Sequence, residues 1–490
     1  MKILDETILD KKSFWMGLGV LVLLTPLQKI SGGNAYVLTA PFALAAIFMR
    51  KIESVMFWLM LSMLFIVGNA FFLPRSVAFY VTQRGVFMLL GAQMLVMIFG
   101  MRKSPQVFPL VGMIFYIAFS ILSSSVGWNP PISFLKLLLF SVIYFGYLGI
   151  SNLAGASSSF NARKVRSAIL AVAVYLIVGS ILLIPFPSIG QLTGEQYLDA
   201  IASGQHVTSL FKGMTMHSQT LGPVVASFFA FLFADFAINV RKMNWLYIAL
   251  LICCPLLIIK TSSRTAMASM LMSVVMVGGC VTKMKGIGVR WRGKVKAMLG
   301  AGTVFAIVAI CISASVRQSI IGFAMKYGEE ARAGDFSMEY AMGTRQFLID
   351  AQIYNFKKSP YIGNGFQVSE EMASTKTPSF KDLISAPIEK GVWVTAVLEE
   401  GGVIGFTILV LFFLGAILTM LRRGAYTGVT VLSALVVSNL AEFTMFSMSA
   451  MGGLFWALVF IGAAMDTARI KQDQTILVGM ESYYGYGRVR

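Results

Sequence analysis

Apolar stretches recur from one end of this sequence to the other, at 14–28, 34–49, 54–73, 85–101, 107–126, 132–152, 166–186, 219–240, 244–259, 265–282, 297–316, 392–421, 426–445 and 449–466. A helix needs about 20 apolar residues to cross the hydrocarbon core of a bilayer. The first stretch is short and the twelfth is long. The fold class expected is therefore all-α, a polytopic transmembrane helical bundle of about 12–14 helices. With 57% hydrophobic and only 13% charged residues, the chain has too little charge to clothe a soluble surface. The head MKILDETILDKK precedes the first stretch without a small-residue cleavage site, so that stretch is expected to stay as a helix.

A formal charge of +18 would suggest nucleic acid in a soluble protein. In a membrane bundle Lys and Arg collect at the helix ends that face the cytoplasm, and no nucleic-acid partner is expected. Every second connection is basic: Lys11 and Lys12 in the head, then Arg50 and Lys51, Arg102 and Lys103, Arg163 to Arg166, Arg241 and Lys242, the cluster from Lys283 to Lys296, Arg422 and Arg423, and the tail. The alternation puts both termini in the cytoplasm. It divides the chain into N-terminal transmembrane helices at 1–316, a large extracytoplasmic loop at 317–391 containing short helices, C-terminal transmembrane helices at 392–466 and a cytoplasmic tail at 467–490. The loop at 187–218 and the short turn holding Lys260 and Arg264 fall on the same outer side as the large loop.

Nucleotide and metal chemistry have no foothold, because the chain lacks CxxC, HExxH, a Walker loop and a GxGxxG after a strand. Cys253, Cys254, Cys280 and Cys311 lie inside apolar runs and read as packing residues. Four other segments carry chemistry. In SSRTA, Arg264 follows Ser262 and Ser263 and opens a helix, a ready anion site for which phosphate is the natural guest. The alternative is an arginine that snorkels to the outer headgroups. In GTRQFLIDAQIYNFKKSPYIGNGF, Arg345 begins an amphipathic helix that runs to Pro360 and a turn at Gly363 and Gly365. Such a turn permits positive φ or a close backbone approach, and the competing reading is a loop helix with a solvated arginine. FKGMTMHSQTLG holds Lys212 and His217, one of two histidines, and a histidine can serve as base, acid or donor to an anion. Ser218 and Gln219 are candidate caps of the next helix. In LEEGGVIGF, Glu399 and Glu400 fall inside a membrane helix, where a carboxylate costs about 2.5–3.5 kcal/mol and either pairs with an arginine or serves the site. Asp235 and Glu442 are expected near helix ends, partly solvated.

These four segments, in their order along the chain from FKGMTMHSQTLG to LEEGGVIGF, make the sequence similar to the O-antigen ligase and O-antigen (exopolysaccharide) polymerase family of bacterial envelope glycosyltransferases. FKGMTMHSQTLG resembles a basic residue, Gly, then His-x-Asn before a helix; SSRTA resembles Ser-Arg-Thr-Ala; GTRQF with SPYIGNGF resembles Arg…Pro-x-x-Gly-x-Gly; LEEGGVIGF resembles Glu-x-Gly-x-x-Gly. They cover about the second half of the chain. The resemblance implies a multi-pass enzyme of the bacterial inner (cytoplasmic) membrane with a polyprenyl (undecaprenyl) diphosphate-linked oligosaccharide as donor and a glycan or lipid-glycan as acceptor. It implies no nucleotide sugar, no metal and no other cofactor; membrane lipid is the remaining partner. Arg264 and Arg345 would hold the diphosphate, with Lys212, His217, Lys260 and Ser263 beside it, and Glu400, Gly363 and Gly365 in support.

One departure bears on the chemistry. Members carry a histidine ahead of Glu-x-Gly-x-x-Gly, and here that slot is Gly391. Glu389 is the first candidate to act as base in its place and His217 the second. Gln219 stands where Asn is common and Lys212 where Arg is common. Repeat-unit polymerisation is the first expectation and O-antigen ligation the alternative. A lipid-linked oligosaccharide flippase is the reading from another class, since a bundle of this size suits transporters, although no related pair of halves is visible.

Overall fold

The computed structural model describes residues 9–30, 52–68, 107–156, 161–192, 211–240, 244–261, 263–282, 293, 338–368, 370, 392–440, 443–447 and 450–485. The elements are helices throughout: α1 (Lys11–Ile30), α2 (Ile52–Ile66), α3 (Val107–Val126), α4 (Pro130–Ala156), α5 (Ala162–Leu182), the single turn α6 (Pro187–Gly190), α7 (Ser218–Ile238), α8 (Trp245–Lys260), α9 (Arg264–Thr282), α10 (Met338–Lys358), α11 (Trp393–Arg422), α12 (Tyr426–Asn439) and α13 (Ala450–Gly485). Among the described residues, seven of these are long and apolar enough to cross a membrane, and α8 and α12 are shorter apolar helices. The expected spans at 34–49, 85–101 and 297–316 lie outside the described residues.

Helix α7 forms the centre. Its residues are buried on every face apart from Gln219 and Thr220 in the first turn, as expected of a helix that is apolar all round. It packs on α8, α9, α12 and α13. The outer helices α1, α3, α9 and α11 expose large apolar side chains such as Leu23, Phe115, Val275 and Leu411, which is the surface lipid tails would cover. Small residues allow a close crossing: a Cβ on Gly428 of α12 would stand 2.9 Å from the Ala463 methyl and from the Val459 carbonyl oxygen of α13. Such spacing lets backbones approach where no hydrophobic gain separates helix from lipid.

The contacts sort the helix ends into two groups. At one end α1 and α5 begin, with the Asp10 N–H donating to Ser167 Oγ at 2.8 Å. There too α7 ends, with Asn239 donating to Asp466 Oδ1 of α13 at 2.9 Å, and α12 begins, with the Thr427 N–H donating to Asp466 Oδ2 at 2.6 Å. Exposed cations crowd this end, namely Lys11, Lys12, Arg163, Arg422 and Arg423. Two expectations fail here. Arg166 is a buried residue of α5, not a headgroup-facing cation, and Asp235 is fully buried, not partly solvated. They form an ion pair, Nε to Oδ2 at 2.8 Å and Nη2 to Oδ1 at 3.1 Å, and Tyr247 Oη donates to Oδ2 at 2.5 Å. The sequence shows each charge one turn from a helix end; only helix packing reveals that α5, α7 and α8 bring them together. Glu442 lies outside the described residues.

Two boundaries also differ. The large loop holds a 21-residue helix, α10, where short helices are expected. The last helix continues beyond 466 as one element to Gly485.

Candidate functional site

The opposite end of the bundle collects the segments that carry chemistry, in two clusters. The first joins the 211–217 loop to the turn before α9. The Lys212 and Gly213 N–H groups both donate to the Gly190 carbonyl of α6, at 2.9 and 3.1 Å. Ser180 Oγ of α5 accepts from the Met214 N–H at 3.2 Å. Thr215 Oγ1 donates to the carbonyls of Lys212 (2.8 Å) and His217 (2.9 Å). The loop is thereby fixed by its backbone, with Lys212 buried and His217 half-buried.

His217 itself is the N-cap of α7, in extended conformation and without a side-chain cap bond. Ser218 and Gln219 are therefore residues of the first turn and not its cap. One turn on, a Cβ at Gly222 would stand 2.6 Å from Ser263 Cβ and 3.3 Å from Thr261 Oγ1. Glycine lets the start of α7 touch the turn before α9. That turn behaves as its sequence suggests: α9 starts at Arg264, and Ser263 Oγ accepts from the Ala266 N–H at 3.4 Å. Ser263 is buried, while Arg264 and Lys260 are half-buried. The helix start that follows Lys212 and His217 and the turn that holds Ser263 and Arg264 thus adjoin at Gly222.

The second cluster joins 359–368 to a break in α11. At Gly402 the backbone has φ 60° and ψ −167°, so α11 is two helical pieces meeting at a kink. A break strands carbonyls on one side and N–H groups on the other, and both need partners in an apolar interior. The loop supplies them. The Asn364 N–H donates to the Glu399 carbonyl at 2.9 Å and the Gly365 N–H to the Glu400 carbonyl at 3.0 Å. In return the Val403 N–H donates to the Pro360 carbonyl at 2.8 Å and the Ile404 N–H to the Tyr361 carbonyl at 3.3 Å. Gly363 and Gly365 have φ of +82° and +105°, and a Cβ on Gly363 would lie 2.3 Å from the Glu400 carbonyl carbon. Positive φ and close approach, the two uses expected of this turn, are both realised.

Side chains lock the junction further. Asn355 Nδ2 of α10 donates to Glu399 Oε1 at 2.9 Å, and Asn364 Nδ2 donates to the Asn355 carbonyl at 3.0 Å. Thr395 Oγ1 donates to Gln352 Oε1. The turn between α3 and α4 closes the other side: Ser123 Oγ donates to the Glu400 carbonyl at 2.5 Å, Ser133 Oγ to the Phe366 carbonyl at 2.9 Å and the buried Lys136 Nζ to the Gln367 carbonyl at 2.9 Å. Gln367 Nε2 reaches the Phe446 carbonyl at 2.5 Å, tying in the approach to α13.

Glu399 and Glu400 are both buried here. The Glu399 carboxylate takes an amide donor from Asn355, a partner that neither of the expected roles for this pair included. Ser123, Ser133, Lys136, Asn355 and Gln367 carry no sequence signal of their own. They are single polar residues in apolar or mixed runs; Lys136, a lone cation inside the sixth apolar stretch at 132–152, is the most conspicuous of them and is not among the expected site residues.

Helix α12 separates the clusters, packing on α7 and α9 to one side and on α11 to the other. Arg345 lies in α10, ten residues before Asn355, or about 15 Å along the helix axis from the junction. Its side chain lies outside the described residues, as do Ser262, Glu389 and Gly391. The arrangement can hold α10 in fixed register on the bundle. It can also offer cations and hydroxyls from the first cluster to an anion at the same end. Comparison with family models, with curated proteins and with solved structures yields no match.

Proposed function

We propose that the protein is an integral-membrane glycosyltransferase that moves a glycan from a polyprenyl diphosphate carrier to a sugar acceptor at the outer face of the bacterial inner membrane, with repeat-unit polymerisation of a surface polysaccharide as its reaction. The observation that carries this reading is the gathering of all four chemistry-bearing segments at the bundle end opposite Lys11, Lys12, Arg163, Arg422 and Arg423, which outnumber the exposed Lys29, Lys357 and Lys358 of the segments' own end among the described residues. On the positive-inside rule that end faces out, where a lipid-borne diphosphate would be met.

The chemistry follows from the residues. The bond from the donor's anomeric carbon to the diphosphate oxygen breaks, and the acceptor oxygen bonds to that carbon from the opposite face, inverting it. The diphosphate leaves with the electron pair, stabilised by Arg264 and Arg345 through charge-assisted bonds, with Lys212, Lys260 and Ser263 adding to the positive, donor-rich surroundings. The acceptor proton passes to Glu389 or His217; general-base help contributes about 10²–10⁴-fold. Glycan ligation to lipid A core uses the same donor chemistry and differs in acceptor.

The test is transfer from an undecaprenyl diphosphate-linked oligosaccharide by the purified protein. Arg264→Ala and Arg345→Ala should each lower transfer at least 100-fold, since each removes charge-assisted bonds made to the leaving group. Wild-type rates in both variants would end their assignment. Products lengthened by whole repeats mark a polymerase, and transfer only to lipid A core marks a ligase.

The break in α11 favours one other reading, a lipid-linked oligosaccharide flippase, because transporters build sites at discontinuous helices. Against it, Glu399 and Glu400 carbonyls and Val403 and Ile404 N–H groups are engaged by 360–365, which takes up the groups such a site would use. Movement of lipid-linked glycan in proteoliposomes without any glycan transfer would establish the flippase.

A further inference from the structure

The end of the bundle away from these clusters has a concavity of its own. Where α1 and α5 begin side by side, Leu9, Asp10, Lys11, Asn161, Arg163 and Lys164 line a cavity of about 400 Å³. The two starts are tied by the Asp10 N–H to Ser167 Oγ bond, so the cavity has fixed walls. Three cations and one carboxylate are among its lining side chains. The Asp10 carboxylate already accepts from Ser13 Oγ. The first-turn amides of α5 are also engaged, since Asn161 Oδ1 accepts from the Arg163 and Lys164 N–H groups at 3.2 Å each. What the cavity offers a ligand is therefore its side-chain charge and not the helix terminus.

The surface beside the cavity says which anion fits. One turn beyond Lys11, Trp15 is 60% exposed and Met16 52%, and the same helix continues with Val22 and Leu23 exposed at 53% and 65%. Charge at a concave helix end, then an indole, then an apolar flank is the profile of a lipid lying lengthwise. Its phosphate meets the cations, its glycerol region the tryptophan, and its tails the aliphatic side chains. Scattered snorkelling cations would line no cavity. We propose that this cavity is a binding site for the headgroup of an anionic phospholipid whose acyl chains lie along α1.

The site is independent of the glycosyltransferase reading, and its test needs no activity. The full-length protein is released from micelles holding equal phosphatidylglycerol and phosphatidylcholine, and retained lipid is measured by native mass spectrometry. The wild type should retain phosphatidylglycerol preferentially. Lys11→Ala/Arg163→Ala/Lys164→Ala should retain it on the order of 100-fold more weakly, from the loss of three cations near the headgroup. Lys11→Arg/Lys164→Arg should keep the preference. If the triple variant fails to fold, Arg163→Ala alone carries the test, because Arg163 is exposed. Equal retention of phosphatidylcholine, or a wild-type preference in whichever alanine variant folds, would overturn the proposal. So would inorganic phosphate competing as well as the lipid, which would make this a free-anion pocket.

Discussion

Gly402→Ala probes the junction between 359–368 and α11 most directly. With φ 60° and ψ −167°, this position lies in a region open essentially to glycine alone, where another residue costs about 1–3 kcal/mol. A Cβ would also stand 2.3 Å from the Tyr361 carbonyl carbon and 2.4 Å from its oxygen. Those are backbone atoms of the opposing strand of loop and cannot swing aside, so the loop has to part from the helix. Parting removes at least the Val403 to Pro360 and Ile404 to Tyr361 hydrogen bonds, at roughly 1 kcal/mol each. The expected loss is about 3–5 kcal/mol in all. The buried thiols of Cys254 and Cys280 provide the assay, since a thiol-reactive fluorophore reports their exposure as purified protein is heated. Gly278→Ala is the control: nothing lies within 4 Å of its added Cβ, and alanine is the better helix former by about 1 kcal/mol. Gly402→Ala should unfold well below wild type and Gly278→Ala at or above it. Equal midpoints for the two variants would refute the claim that the break is held open by this contact. Gly363→Ala strikes the same junction from the loop side, against the Glu400 carbonyl, so the double variant should lose less than the two single losses combined.

At the other end, Arg166→Ala should destabilise by about 3–5 kcal/mol, because it leaves the buried Asp235 without its guanidinium. Arg166→Met/Asp235→Leu should recover much of that in the same assay. No recovery would mean the pair does more than neutralise itself. Orientation is testable by cysteine substitution at two exposed positions. A membrane-impermeant maleimide added to intact spheroplasts should label Lys357→Cys and spare Arg423→Cys until the cells are opened. The reverse pattern would invert the topology and remove the proposed outer site.

The helical character of this chain is written in its composition, because a bilayer leaves an apolar segment of about 20 residues little choice of backbone structure. The same reasoning places α9 to start at Arg264 and assigns Gly363 and Gly365 to a tight turn, since backbone sterics are local and act on residues in sequence. Whom those residues meet is not local. That the turn pairs with a broken membrane helix, that Ser123 and Lys136 close over it, and that Arg166 finds Asp235 all depend on which helix faces which, and hydropathy is nearly blind to rotation about a helix axis. Glu399 illustrates the boundary. Its cost inside a membrane span is legible from sequence, but the Asn355 amide that receives it comes from a helix more than forty residues earlier and enters only when α10 docks on α11. Composition settles that such groups need partners in a low-dielectric interior; packing alone settles which partners they get.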